Sequence, residues 1–214
     1  MSKLMRAPRE CGSWYWDLYE VASPGLESAL STAARMTDVL TRLELLTPTA
    51  LEYRWHVMDV GTTGFTTTLA LSQPLGDASL PDRLLGSRPV AFPAAEIGEV
   101  NVIGTGTWID AGGQPQTEPQ LIDLSVSPAP TGLAAELSVH HDIWGWYDFS
   151  GRPHPEVYRH NAPRLATAIK ELSSVLGLPP EPGEPTYFGS ATPDGLATPD
   201  AYDDGLGPDL TSRL

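Results

Sequence analysis

Residues 99–143 read EVNVIGTGTWIDAGGQPQTEPQLIDLSVSPAPTGLAAELSVHHDI. Apolar and polar residues alternate in three blocks, through Val100, Val102 and Trp108, then Ile122, Leu124 and Val126, then Leu137, Val139 and Ile143. Alternation with a period of two is the mark of a half-buried strand. The blocks predict strands over about 99–110, 119–127 and 133–143, separated by Ala111-Gly112-Gly113 and Pro128-Ala129-Pro130. Turn residues with no helix between strands argue for an antiparallel meander, because parallel strands need a long crossover.

The flanks carry the same logic. Trp14, Trp16 and Leu18 alternate with Tyr15, Asp17 and Tyr19, which predicts a first strand over about 13–21. Ser23 and Pro24 then suit a helix N-cap and first position, and Leu26, Ala29, Leu30, Ala33, Met36, Leu40 and Leu43 recur at helical spacing to predict an amphipathic helix over 24–46, ended by Pro48. Leu51, Tyr53, Trp55 and Val57, followed after Gly61-Thr62-Thr63-Gly64 by Phe65, Thr67, Leu69 and Leu71, predict a hairpin. Residues 73–98 are Pro- and Gly-rich and read as an ordered crossing loop with helical pieces at 80–85 and 94–97. Asn161 reads as the cap of a last helix, with Pro163 in its first turn, Leu165, Ile169, Leu172 and Leu176 on one face, and Gly177 as its stop.

Strand, helix, two strands, loop, three strands and helix do not alternate as a doubly wound sheet requires. The expectation is an α+β fold: a twisted, mainly antiparallel sheet of about six strands with two main helices packed on one face. Residues 1–176 form this domain. Residues 177–214 hold seven Pro, six Gly and seven acidic residues against one cation, Arg213, too few apolar groups for a core of their own. Tyr187, Phe188, Leu196, Tyr202, Leu206 and Leu210 punctuate this irregular Pro/Gly/Asp-rich tail and predict that it lies along the domain by aromatic anchors.

The 214-residue chain has 41% hydrophobic residues and a formal charge of −14. Such a negative field disfavours nucleic acid and anionic membranes and attracts cationic partners. There is no apolar run of membrane-spanning length, and the N-terminal Lys3, Arg6 and Arg9 precede no apolar segment of a secretion signal. Cys11 is the one cysteine, so no internal disulfide forms, and a cytoplasmic location is expected. Eleven arginines against two lysines, with abundant Ala, Gly and Pro, suit a high-GC bacterial coding sequence.

Four of the five histidines lie between Val139 and His160. Continued strand alternation sets Leu137, Val139, His141 and Ile143 on one face and Glu136, Ser138, His140 and Asp142 on the other, so only His140 is expected beside Asp142. A metal-dependent enzyme or small-molecule binder would draw on His140, Asp142, His154 and His160, with Glu156 nearby, if the loop folds back; the six-residue gap from His154 to His160 matches no zinc motif. No serine-hydrolase elbow or phosphate loop exists, and Gly104 and Gly106 read as a close-packed or bulged strand face. No cofactor is expected. His140, Asp142, Trp144, Trp146, Tyr147 and Asp148 instead read as an exposed, rigid aromatic corner rimmed by carboxylates, suited to a cationic protein partner.

The run Glu184-Pro185-Thr186-Tyr187-Phe188-Gly189, ending in Asp194-Gly195-Leu196 behind a final helix, resembles the C-terminal style of immunity proteins of bacterial polymorphic toxin systems, over about the second half of the chain. The resemblance implies a protein that binds and blocks a toxin domain, often a basic nuclease or nucleotide-modifying enzyme, without turnover of its own; a monomer or homodimer is expected. An accessory subunit of a larger bacterial assembly, docked through the tail, is the other non-enzymatic expectation.

Overall fold

The computed structural model describes residues 4–57, 61–129 and 132–214; Lys3 and Pro130 lie outside them. The expected α+β fold is present. Its strands in chain order are β1 (Gly12–Asp17), β2 (Thr47–Val57), β3 (Gly61–Ala70), β4 (Glu96–Ile109), β5 (Pro115–Pro119), β6 (Asp123–Ala129), β7 (Gly132–Val139) and β8 (Glu181–Pro182). They form one sheet in the order β3-β2-β4-β6-β7-β1-β8, with β5 folded back onto the end of β4. Every described pairing in it is antiparallel. The six expected strands are all there, and the short β5 and β8 are additions. A separate two-stranded ribbon pairs β9 (Ala191–Thr192) with β10 (Gly195–Leu196).

One face of the sheet is apolar and buried, with Trp14, Trp16, Leu51, Tyr53, Trp55, Val100, Val102, Leu124, Val126, Leu137 and Val139 all pointing into the core. Helices α1 (Leu26–Arg42), α2 (Leu80–Gly86) and α3 (Pro155–Leu176) cover it, α1 running across β6, β4, β2 and β7 and packing on α3. Helix α1 is shorter than its periodicity predicts. Ser23 does not cap it; Gly25, at φ 110°, precedes its first turn. It stops before Pro48 because Glu44 takes a left-handed conformation, φ 58°, which sends the fully buried Leu45 and Leu46 under the sheet. Pro48 lies inside β2.

Helix α3 starts at Pro155, six residues before the expected cap. Asn161 is a strut within it: its side chain accepts from the Ile109 amide at 2.9 Å and donates to the Ile109 carbonyl at 2.8 Å. Arg164, one turn on, donates to the carbonyls of Thr107 and Leu43 at 2.6 and 2.8 Å and so ties α3 to β4 and to the end of α1. Gly177 ends the helix in the left-handed conformation, as expected, with its amide on the Ser173 carbonyl. Residues 94–97 are not helical; β4 begins at Glu96. Gly61 and Gly64 fall inside β3, and β2 and β3 lose register between Arg54 and His56.

Gly104 and Gly106 are a close-packed strand face. A Cβ on Gly104 would run into the Thr47 carbonyl oxygen, and one on Gly106 into that of Leu45, because the end of the α1–β2 connection and the start of β2 lie against β4 at these positions. The collision is with backbone, which has no rotamer to escape into. Gly106→Ala is therefore expected to cost about 2–3 kcal/mol, at the upper end of overpacking costs, read as a shift in the urea midpoint at constant slope. An unchanged midpoint would contradict this reading of the crossing.

Candidate functional site

The segment after β7 does not continue as strand. The Ala7 amide donates to the His140 carbonyl at 2.8 Å, and Arg6 bridges His141, so the N-terminal segment closes over the strand end. The chain then makes a single 3-10 turn, Asp142–Trp144. This turn breaks the alternation that would set Asp142 beside His140. His140 faces the opposite side of the sheet, its Nε2 3.2 Å from Asp123 Oδ2, which also takes a 2.9 Å bond from Arg6. Burial would raise the Asp123 pKa, but the hydrogen bond from His140 and the charge and hydrogen bond of Arg6 outweigh it and hold the carboxyl below its usual range.

The exposed corner is therefore corrected. Trp144 has 0% exposure and belongs to the core, and Asp142 is 5% exposed. The Asp142 carboxyl accepts the Met5 amide at 3.4 Å; burial pushes its pKa up to about 7 against the pull of the Met5 and Phe149 amides. Trp146 is half-buried and meets Tyr158 edge to face at 5.5 Å. Tyr147 is half-buried beneath Gly207, whose position admits no Cβ against the ring. Asp148 Oδ1 accepts the Ser150 amide, the Ser150 hydroxyl and the Arg152 amide at 2.9, 2.7 and 3.0 Å, a side chain that shapes its own turn.

The residues named for a metal site are not brought together. His140 is on the open sheet face, Asp142 is buried, His154 Nε2 lies 2.9 Å from the Gly145 carbonyl, and His160 is exposed on α3. Glu156 pairs with Arg159 at 2.6 Å. Among the described residues, no three His, Cys, Asp or Glu side chains converge as a metal site would need.

Two other features emerge. The first is the sheet face left open by the helices. Strand register lines up Thr68, Glu52, Asn101, Ser125, Glu136, Tyr15 and Glu181 in one row across seven strands. A hollow of about 260 Å³ lies on it, lined by four carboxylates, of Glu52, Glu99, Asp123 and Glu136, and one guanidinium, of Arg54. Burial, then the charges of Glu10 and Glu99, raise the Glu136 pKa against a hydrogen bond from Ser13. The signal for this face was in the sequence, at the polar positions of each alternating strand.

The second is a mainly apolar cavity of about 230 Å³ between the 142–149 corner and the tail. Cys11 and His141 line it, both 1% exposed. Burial drives the Cys11 thiol well above its ordinary range and lowers the His141 pKa to about 4, aided by the charge of Arg6. No periodicity marks this cavity, because one wall comes from the irregular tail.

The chain matches no family model, no curated protein and no solved structure at a significant level, so no activity comes to it by likeness. Among the described residues, no helix is long and apolar enough to cross a membrane.

Proposed function

We propose that this chain is a non-enzymatic inhibitory binding protein of the immunity type, which neutralises a toxin domain by covering a basic surface of it. The observation that carries the reading is the acidic row and hollow on the sheet face that the helices leave uncovered. A formal charge of −14 supplies long-range attraction to a cationic partner, and the aligned carboxylates supply acceptors for Arg and Lys at contact. This moves the recognition surface from the 142–148 corner to the sheet, with His140 the one residue of that earlier set on this face.

The test uses the purified toxin domain encoded beside this gene on its native chromosome. Binding is expected to weaken steeply with salt, and co-expression is expected to restore growth. The double variant Glu52→Lys/Glu181→Lys reverses two charges of the row and is expected to weaken binding at least about tenfold, about 1.4 kcal/mol, at unchanged melting temperature. A neighbourhood without a toxin gene, or binding undiminished in the double variant, overturns the reading.

A further inference from the structure

The sheet ends in two edges that are built differently. At one, β8 is two residues long and consists of a charged residue and a proline, Glu181–Pro182. Short length, charge and proline are means by which proteins keep an edge from pairing with another chain. The other edge, β3, runs for ten residues, GTTGFTTTLA, with no charge and no proline, and its threonines and phenylalanine favour strand.

The shift of register between Arg54 and His56 confines the irregular part of β3 to residues 62–66 and leaves Thr66–Ala70 in regular pairing with β2. Just past that run the Leu71 amide donates to the Thr49 carbonyl at 2.9 Å. Hydrogen-bonded positions alternate along an antiparallel ladder, so Thr67 and Leu69 also turn their amides and carbonyls to β2. Thr66, Thr68 and Ala70 turn theirs outward, and all three residues are exposed. Among the described residues, no strand pairs with this outer side.

We propose that β3 is the seam of a homodimer, pairing antiparallel with β3 of a second copy about a two-fold axis at Thr68. The symmetry suits the edge. It sets Thr68 opposite Thr68 and Thr66 opposite Ala70, so outward groups meet outward groups, and each facing pair exchanges two main-chain hydrogen bonds. Threonine pairs across strands are favourable, and within the run no charge faces a like charge. The same axis brings Leu71 of the second copy beside Phe65, which is 49% exposed and packs on Phe92.

The placement of charge permits a second copy here. In the acidic row the carboxylate nearest the axis is that of Glu52, which pairs with Thr68 one strand in. The two copies of Glu52 stand three strand spacings apart, about 14 Å, whereas charges are screened over about 8 Å at physiological salt. The formal charge of −14 on each copy still repels at low salt, so the dimer tightens as salt rises, opposite to the binding of a cationic partner. A single strand pair buries little area, which makes the dimer weak and reversible. Both acidic faces stay uncovered, on the same side of one continuous sheet.

The dimer does not depend on the toxin reading, and its test contains no toxin. Full-length protein is sedimented from about 5 µM to about 500 µM in about 0.05 M and about 0.5 M NaCl, with amide hydrogen exchange followed over the same range. A closed, reversible dimer is expected with Kd of about 10–100 µM at the higher salt and at least about threefold weaker at the lower. The amides of Thr66, Thr68 and Ala70 are expected to gain protection as concentration rises, while those of Thr67 and Leu69 are protected throughout. Thr68→Pro removes an outward donor, which an edge position tolerates. Thr68→Lys leaves the backbone unchanged and sets two cations face to face across the axis. Each is expected to weaken the dimer at least about tenfold, Thr68→Lys although it lowers the net charge of each copy. A monomer at every concentration, association that continues past the dimer, a dimer that leaves those three amides unprotected, or one untouched by both variants overturns the proposal. So does protection that appears only when a blocked Lys-Thr-Lys-Val-Lys peptide is added, which would assign the edge to a strand of a cationic partner.

Discussion

A chain cut after Gly177 is expected to lose cooperative folding. The tail is irregular, yet it is stitched to the domain along its length. It adds β8 to the edge of β1, accepts the Trp14 indole N–H on the Thr192 carbonyl at 2.7 Å, and donates the Leu210 amide to the Phe149 carbonyl at 2.7 Å. Phe188 meets Phe149 edge to face at 5.4 Å, and Leu196 presses on Gly12. Removing it uncovers Cys11, Trp14 and Phe149, now almost fully buried. Part-buried Phe188, Leu196 and Leu210, with these hydrogen bonds, amount to about 5 kcal/mol or more, which is comparable to the whole stability of a small domain. Urea unfolding and binding of a hydrophobic dye read the effect. A soluble truncated protein with an unshifted, sharp transition would show the stitching to be superficial.

The second large effect is in pH, where two adjacent buried groups oppose each other. The Asp142 pKa is raised from 3.8 to about 7, so the folded state holds this proton more tightly than the unfolded state. Its contribution is full below pH 3.8 and is lost as pH rises through 7. His141 is lowered from 6.5 to about 4, so its contribution is full above pH 6.5 and is lost as pH falls through 4. Between pH 4 and 6.5 the two slopes are of opposite sign, and the wild type owes little net pH dependence to this pair. Asp142→Asn removes one slope. Its stability relative to wild type is expected to rise by about 2–4 kcal/mol between pH 4 and pH 8, since each pKa unit is about 1.4 kcal/mol. Its own stability is expected to fall as pH drops from 6.5 to 4, with His141 unopposed. Urea midpoints at four pH values decide it; parallel curves for variant and wild type would mean that folding leaves the Asp142 pKa unshifted.

How much of this was legible varied with the kind of interaction. Strand alternation is local, so the buried positions Leu137 and Val139 of β7 could be read off the chain, and the same positions imply the polar face on the other side. The candidate site was less legible because its geometry depends on where alternation ends. One 3-10 turn after His141 carries Asp142 and Trp144 inward, and the segment that closes over it comes from residues 4–11, far away in sequence. Asn161 looks like a cap by residue type, but its partner is Ile109, which no local pattern reveals. In the tail, Phe188 is an anchor as expected, whereas Tyr187 and Tyr202 are 68% and 61% exposed. Aromatic content alone does not tell which ring the domain receives.

The place of β1 between β7 and β8 has a consequence for synthesis. Gly12 pairs with Val139, and Tyr15 with both Glu136 and Glu181, so β1 leaves the ribosome well over a hundred residues ahead of its partners. At about 5–20 residues per second, the 127 residues from Gly12 to Val139 take about 6–25 s to appear. Throughout that interval Trp14 and Trp16 stand on an unpaired edge, the kind of segment that recruits chaperones or other nascent chains. The long separation of β1 from β7 therefore makes the interval of synthesis between them, and not only the finished fold, a point of exposure to aggregation.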